Sequence, residues 1–266
     1  MVFIDNCHLV WHTFYMKQEY LKYGIDVYQA MPQKIEVLRY MAEHRFAMTG
    51  DIKNFVQSRA KNESFRVFLY KCGLKCFKLG VKSVWFIDNP DIYALIQRFY
   101  PDLPQFKLQK VNYGQVEHDL CLAKIRHAFM KKVEFNIVRW CSEYYLRALP
   151  VSARFEISYK RIPDAIFFSR EERRIKKYFV EYERSLKNRE RYQRVFRYYA
   201  NRADIEEGNI LYICRDEHIL KELRKIIEST FGGGALLNQG GRYFKLLKYD
   251  DVVCNLEGGG YVSVSN

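Results

Sequence analysis

From position 33 onward the apolar residues fall into short, regular rhythms. Ile35, Leu38 and Ala42 recur at helix spacing. After a short break, Thr49 is placed to cap a second helix carrying Ile52, Phe55 and Val56. Asn62 or Ser64 starts a third, with Phe65, Phe68 and Leu69 inward and Gly73 as its stop. Two strand-like runs, 74–78 and 83–87, flank a turn that holds Gly80. Asn89-Pro90 opens a further helix with Pro90 at its first position, and 100–104 reads as a linker between Pro101 and Pro104.

Beyond 105 the rhythm changes. A long helix is predicted over 115–131, a strand over 133–140, and a short helix with Glu143 and Leu146. A hairpin-like pair, 155–160 and 164–168, leads through a charged turn at 170–176 into a strand at 178–183. A long basic helix over 186–200 follows, then a continuously apolar strand, 210–214. Asp216 caps a helix holding Ile219, Leu220, Leu223, Ile226 and Ile227, and a glycine-rich loop precedes a last strand near 244–249. That loop lacks a following helix, so it is no phosphate-binding fingerprint. Helices alternating with strands predict an α/β (α+β) domain with a mixed central sheet. The chain divides into an N-terminal extension (1–32), a module over 33–104 and a domain over 105–266. Three short helices and a hairpin make the first module a winged helix-turn-helix, whose third helix would enter the major groove.

Charge sharpens this picture. Among 266 residues, 44 Lys and Arg outnumber 31 Asp and Glu, giving +13. Such an excess favours a polyanionic partner, because neutralising phosphates releases condensed counterions. Arg59, Lys61, Arg66, Lys71, Lys75, Lys78 and Lys82 cluster on or near the third helix and hairpin, and Arg191 and Arg194 lie on the basic helix. These are the candidate DNA-binding groups. No run approaches the ~20 apolar residues of a spanning helix, which excludes membrane insertion, and the first residues carry no signal-peptide pattern. Seven cysteines are scattered without a Cys-x-x-Cys pair, which points to buried free thiols in a reducing, cytoplasmic compartment.

The chemistry concentrates in Arg161-Ile162-Pro163-Asp164 and Phe179-Val180-Glu181-Tyr182-Glu183. On a strand, Glu181 and Glu183 share one face while Val180 and Tyr182 take the other. Two adjacent carboxylates on an inner strand repel, and a divalent ion with oxygen ligands is the economical way to offset them. Asp164 would join them if its strand pairs with theirs, and Lys187, in the first turn of the next helix, would fold back to the same spot. Asp164 and Glu181 are the metal candidates, for Mg2+ or Mn2+. The catalytic candidates are Asp164, Glu181, Glu183, Lys187, His118 as base or ligand, and Glu143 as an outer member. Salt bridges from Arg184 and Lys177 are the bland account of the glutamates.

This layout resembles the PD-(D/E)xK nuclease core over roughly 115–214: Pro-Asp, a hairpin, then a strand with functional residues two apart. Where the common pattern ends in lysine, this chain has Glu183. The whole chain is also similar to the plasmid replication-relaxation family, which includes MobC-type mobilisation relaxases. Glu117-His118-Asp119-Leu120, Trp140-Cys141-Ser142-Glu143, Ile162-Pro163-Asp164-Ala165, Val180-Glu181-Tyr182-Glu183 and the helix from Lys187 to Tyr199 carry that similarity. It implies a restriction-endonuclease-like domain, metal-dependent strand-specific nicking at a transfer or replication origin, double- and single-stranded DNA as partners, and a coupling protein with accessory mobilisation proteins. Hydrolysis and a covalent tyrosyl intermediate both stay open, with Tyr113, Tyr144, Tyr145 and Tyr182 near the motifs. The alternatives are a non-catalytic DNA-binding replication or transcription regulator on the same scaffold, and a nuclease cutting both strands.

Overall fold

The computed structural model describes residues 32–108, 111–132, 135–153, 161–171, 174–202, 209–232 and 244–254. Helix α1 (Pro32–His44) buries Val37, Leu38, Met41 and Ala42. Strand β1 (Ala47–Met48), helices α2 (Thr49–Phe55) and α3 (Asn62–Lys71), strands β2 (Lys75–Leu79) and β3 (Lys82–Phe86), and helix α4 (Pro90–Phe99) follow. The strands form a small antiparallel sheet in the order β1-β3-β2. Gly73 ends α3 at φ +85°, in the left-handed region, and a Cβ there would meet Ile92 Cδ1 at 3.0 Å. Asn89 caps α4 by accepting from Asp91 N at 2.9 Å.

Thr49 is not the cap of α2. Met48 holds that position, Asp51 accepts its backbone N–H at 3.3 Å, and the Thr49 hydroxyl instead accepts from the buried Trp85 indole at 2.9 Å. Thr49→Val removes that acceptor and keeps the shape, leaving the indole N–H unpaired. A stability loss of about 1–2 kcal/mol is expected in urea denaturation.

The larger part is built from α5 (Tyr113–Lys131), β4 (Ile137–Ser142), α6 (Glu143–Ala148), β5 (Ala165–Glu171), β6 (Arg174–Glu183), α7 (Arg189–Ala200), β7 (Ile210–Cys214), α8 (Glu217–Phe231), β8 (Phe244–Lys248) and α9 (Tyr249–Val253). Its five-stranded mixed sheet runs β4-β5-β6-β7-β8, antiparallel from β4 to β6 and parallel from β6 to β8. Helices α7 and α8 are the crossovers that parallel pairing requires. One sheet face, with Trp140, Phe167, Val180, Tyr182 and Ile213, packs on Leu122, Ile125 and Phe129 of α5. The other, with Ile166, Phe179, Ile210 and Tyr212, joins Phe196 and Tyr199 of α7 and Leu223 of α8 in a cluster that continues to α1 and α4. Every residue of β7 is buried, as its unbroken apolar run requires.

Helix α5 is covered on both sides, and on the side facing α1 it carries charge. Arg126 Nη1 donates to Glu43 Oε2 at 2.9 Å and to His44 Nε2, while its guanidinium lies 5.5 Å from the Tyr40 ring and 5.3 Å from that of Phe55. Burial, with Arg126 beside them, pulls His44 well below the usual histidine range and His127 down to about 4.

Several boundaries differ from the sequence expectation. Strand β4 begins at Ile137 rather than near 133, and α7 begins at Arg189 because the Asn188 side chain accepts from Arg191 N at 2.8 Å. Lys187 therefore precedes the helix instead of lying in its first turn. Strands β5 and β6 extend to Glu171 and from Arg174, replacing the long charged turn. Of the free thiols, Cys72, Cys141 and Cys214 are buried, but Cys76 and Cys121 are half-buried and Cys254 is exposed, so burial holds for only part of the set. The N-terminal extension up to residue 31, Cys7, the 155–160 run and the glycine-rich loop from 233 on lie outside the described residues. Among the described residues no helix is long and apolar enough to cross a membrane.

Candidate functional site

The β5–β6 hairpin brings the predicted acids to one end of the sheet. Ala165 pairs with Val180, so Asp164, one residue earlier, stands opposite Glu181. Cross-strand neighbours of this kind share a face with Cβ atoms about 5 Å apart. Strand alternation turns Glu181 and Glu183 toward α7, where they are 4% and 3% exposed. Carboxylates buried this far need counter-charges, and each has one. Arg161 donates to Glu181 Oε1 from Nε at 3.1 Å and Nη2 at 2.9 Å, and the Tyr199 hydroxyl donates to the same oxygen at 2.6 Å. Lys187 Nζ lies 2.8 and 2.7 Å from the two oxygens of Glu183. Asp164 Oδ2 accepts the Tyr182 N–H at 2.7 Å and lies 3.2 Å from His118 Nε2.

The protonation balance follows from these contacts. Burial pushes the Glu181 carboxyl up to about 7; Arg161 pulls against it and the Asp164 charge adds to it. Burial also raises Glu183, against the pull of Lys187. Asp164 lies below the ordinary aspartate value: burial alone would raise it, but the His118 hydrogen bond and charge outweigh that. Burial pulls His118 down, yet the carboxylates of Asp119 and Asp164 hold it up at about 10. These two acids favour the protonated ring of His118. Gln115 Nε2 donates to Asp119 Oδ1 at 3.2 Å, and that carboxylate oxygen lies 3.5 Å from His118 Nδ1.

Asp164, Glu181, Glu183, Lys187 and His118 therefore form neighbouring pairs, His118 with Asp164, Arg161 with Glu181 and Lys187 with Glu183, whose carboxylates feel one another's charge. Glu143 is tied in through its backbone, whose N–H donates to the Asp164 carbonyl at 2.7 Å, while its side chain pairs with Arg147 at 2.5 Å. Arg184 and Lys177 are not the partners of the strand glutamates. Arg184 pairs with Glu117 at 2.7 Å and donates to the Gly114 carbonyl at 3.2 Å, and Lys177 Nζ lies 5.4 Å from the Phe179 ring. Sequence reasoning missed Arg161 and Tyr199. The available signal was the basic residue just before Pro163-Asp164, and a tyrosine on the inward face of α7. Of the four tyrosines near the motifs, Tyr144, Tyr145 and Tyr182 are buried, whereas Tyr113 is 66% exposed at the start of α5.

Among the described residues, no three His, Cys, Asp or Glu side chains are placed as a metal cage. Magnesium does not require one: it keeps waters and takes one or two protein carboxylates, with phosphate oxygens completing its shell. Asp164 and Glu181 are hard oxygen donors in register on neighbouring strands, the donor type such a shell takes, and Glu181 Oε1 is held by Arg161 and Tyr199. Arg59, Lys61, Lys71, Lys75, Lys78 and Lys82 are exposed and Arg66 half-buried around α3 and the β2–β3 hairpin, and Arg191 and Arg194 are exposed on α7. Lys75 is loosely paired with Asp88 at 3.9 Å, and Lys78 donates to Ser83 Oγ at 3.1 Å. No protein-family model, curated protein or solved structure matches the chain.

Proposed function

We propose that this chain is a DNA-nicking protein of the mobilisation-relaxase kind, with a winged-helix module for duplex binding and a PD-(D/E)xK-like centre for phosphodiester cleavage. The observation that carries the proposal is the placement of half-buried Asp164 opposite buried Glu181, with buried Glu183 two residues on and Lys187 paired to it, at the end of one hairpin. Packing alone gives no reason for three carboxylates there, since apolar residues of similar volume are as stable or more so. Helix α3, the β2–β3 hairpin and their exposed lysines and arginines support duplex binding through phosphate contacts.

Asp164 and Glu181 are the pair that would hold Mg2+ or Mn2+, whose chemistry there is polarisation of a phosphate oxygen and a lowered pKa for bound water. Lys187, already aimed into the cluster by Glu183, supplies positive charge to the phosphate as negative charge builds on it. His118 acts as a fixed cation and proton donor rather than as a base, and Asp119 with Gln115 holds its ring in place. Tyr199 and Arg161 orient Glu181. The buried positions of Tyr144, Tyr145 and Tyr182 favour hydrolysis over a tyrosyl intermediate, with Tyr113 the exposed exception. A coupling protein and accessory mobilisation proteins would act around this step in a cytoplasmic setting.

A second reading has its own observation: Arg161, Lys187 and His118 already neutralise the three acids. A non-catalytic origin-binding regulator would keep the cluster in this state.

The test is incubation of the purified protein with supercoiled plasmid carrying its native origin, with and without magnesium. Relaxed circles only with metal are expected. Unchanged plasmid with retained origin binding would establish the regulator instead, and linear product a nuclease that cuts both strands. Phenol partitioning of the nicked circles should leave them in the aqueous phase; retention with protein would establish a covalent tyrosyl link.

A further inference from the structure

A cleft of about 290 Å³ opens beside the acid cluster, between the end of α1, the start of α5 and the start of α6. Arg45, Asn112, Gln115, Asp119, Glu143 and Arg147 supply most of its polar lining. Two links join it to the cluster. Glu143, on its wall, donates its backbone N–H to the Asp164 carbonyl at 2.7 Å. Asp119, on the opposite side, lies 3.5 Å from His118 Nδ1, and the other nitrogen of that ring faces Asp164 at 3.2 Å.

We infer that this cleft is a subsite for one unpaired nucleotide of a single DNA strand, next to the bond cut at Asp164; the inference rests on the nicking proposal. Its volume of about 290 Å³ lies just below the range for small-ligand pockets, about 300–1,000 Å³. A single nucleotide fits that space and a duplex does not. The lining carries two ion pairs, Arg147 on Glu143 at 2.5 Å and Arg45 beside Asp119 at 3.9 Å, and adds two amides. Carboxylates accept from ring N–H and exocyclic amino groups, while guanidinium groups donate to keto oxygens, ring nitrogens and phosphate oxygens. Such a set suits the edge of a base with its phosphate. It does not suit a bare phosphate, for which the two acids are repulsive.

Arg45 supplies an independent reason. It follows α1 with φ +67°, donating its N–H to the Met41 carbonyl at 2.8 Å, in the left-handed closing position that glycine ordinarily takes. A side chain there strains the backbone, and such strain collects where a side chain is needed for function. The guanidinium is held 5.0 Å from the Phe46 ring and 3.9 Å from Asp119, at the cleft. Glycine would relieve that backbone strain, and the arginine sets against it the contacts its guanidinium makes at the cleft.

The experiment uses the full chain and single strands of the native origin with 2-aminopurine at successive positions. Fluorescence should rise at one position, where the base leaves the stack to enter the cleft. Arg45→Gly should melt at or above the wild-type temperature yet bind the strand about tenfold more weakly, as expected for a lost charge-assisted hydrogen bond. Arg147→Ala, at the exposed rim, should weaken strand binding similarly and leave duplex binding unchanged. Wild-type strand affinity in both variants, or no fluorescent position, overturns the subsite. Equal binding of deoxynucleoside monophosphates and the strand would overturn its assignment to DNA. A protein that shows the fluorescent position but relaxes no plasmid sinks the nicking proposal and keeps the subsite. One that nicks without such a position sinks the subsite alone.

Discussion

Glu181→Ala is expected to lower the stability of the protein by about 3 kcal/mol, the low end of the cost of stripping one partner from a buried ion pair. Glu181 Oε1 receives two N–H groups from Arg161 and the hydroxyl of Tyr199, so truncation leaves three donors facing a void. The Arg161 side chain retains 28% exposure, and the water reaching it keeps the cost from rising further. Glu181→Gln keeps an acceptor for these donors and should cost about half as much, since it removes the charge without opening a cavity. Urea denaturation followed by far-UV circular dichroism measures both. A loss below about 1 kcal/mol for the alanine variant would show the acid to be solvated, not buried.

The second large effect is a loss of stability in acid, centred on the α1–α5 contact. Burial, with Arg126 and Lys131 nearby, holds His127 down at about 4, and burial with Arg126 and His127 also holds His44 well below the usual histidine range. A histidine depressed in the folded state is stabilised as its neutral form. Its contribution is therefore complete above the unfolded value near 6.5 and is lost as the pH falls from there toward 4. For His127 the full shift corresponds to about 3 kcal/mol. Glu181, raised to about 7, works the other way between its unfolded value and 7, so the histidine contribution is best isolated by difference. His127→Phe preserves the stacking on Tyr40, whose ring lies 5.8 Å away and nearly parallel. It should match the wild type at pH 7 and exceed it by about 2 kcal/mol at pH 4.5, measured in parallel urea titrations. An unchanging difference between the two would mean that His127 titrates normally. His118 bounds the opposite side: raised to about 10, it contributes fully below 6.5 and loses its contribution as the pH climbs to 10.

Much of the architecture was legible because local rules dominate it. The 3.6 period of α8, with Asp216 at its start accepting from Ile219 N at 3.0 Å, and the Asn89-Pro90 opening of α4 are local signals that tertiary packing had no reason to override. The unbroken apolar run of β7 and the shared face of Glu181 and Glu183 follow from strand geometry alone. The acids' partners were not legible. Arg161 sits in an irregular stretch twenty residues from Glu181, and only the β5–β6 register brings them together. Arg126 and Glu43 lie 83 positions apart on different helices. A charged residue inside the apolar run Ile125-Arg126-His127-Ala128-Phe129 was the sole hint of that pair. The Thr49 and Lys187 misplacements share a cause. A plausible cap or first-turn residue was assigned by type, whereas Trp85 claimed the hydroxyl of one and Asn188 set the helix start beyond the other.

The most direct test of the acid cluster as a cleavage centre is Asp164→Asn. The amide can still accept from Tyr182 N–H, so the hairpin keeps its anchor, while the negative charge facing His118 is gone. The variant should bind origin duplex with wild-type affinity, because the basic surface of α3 and the β2–β3 hairpin is untouched, and should relax no supercoiled plasmid in magnesium under conditions where the wild type relaxes it fully. Relaxation by Asp164→Asn at the wild-type rate would contradict a catalytic role for the cluster.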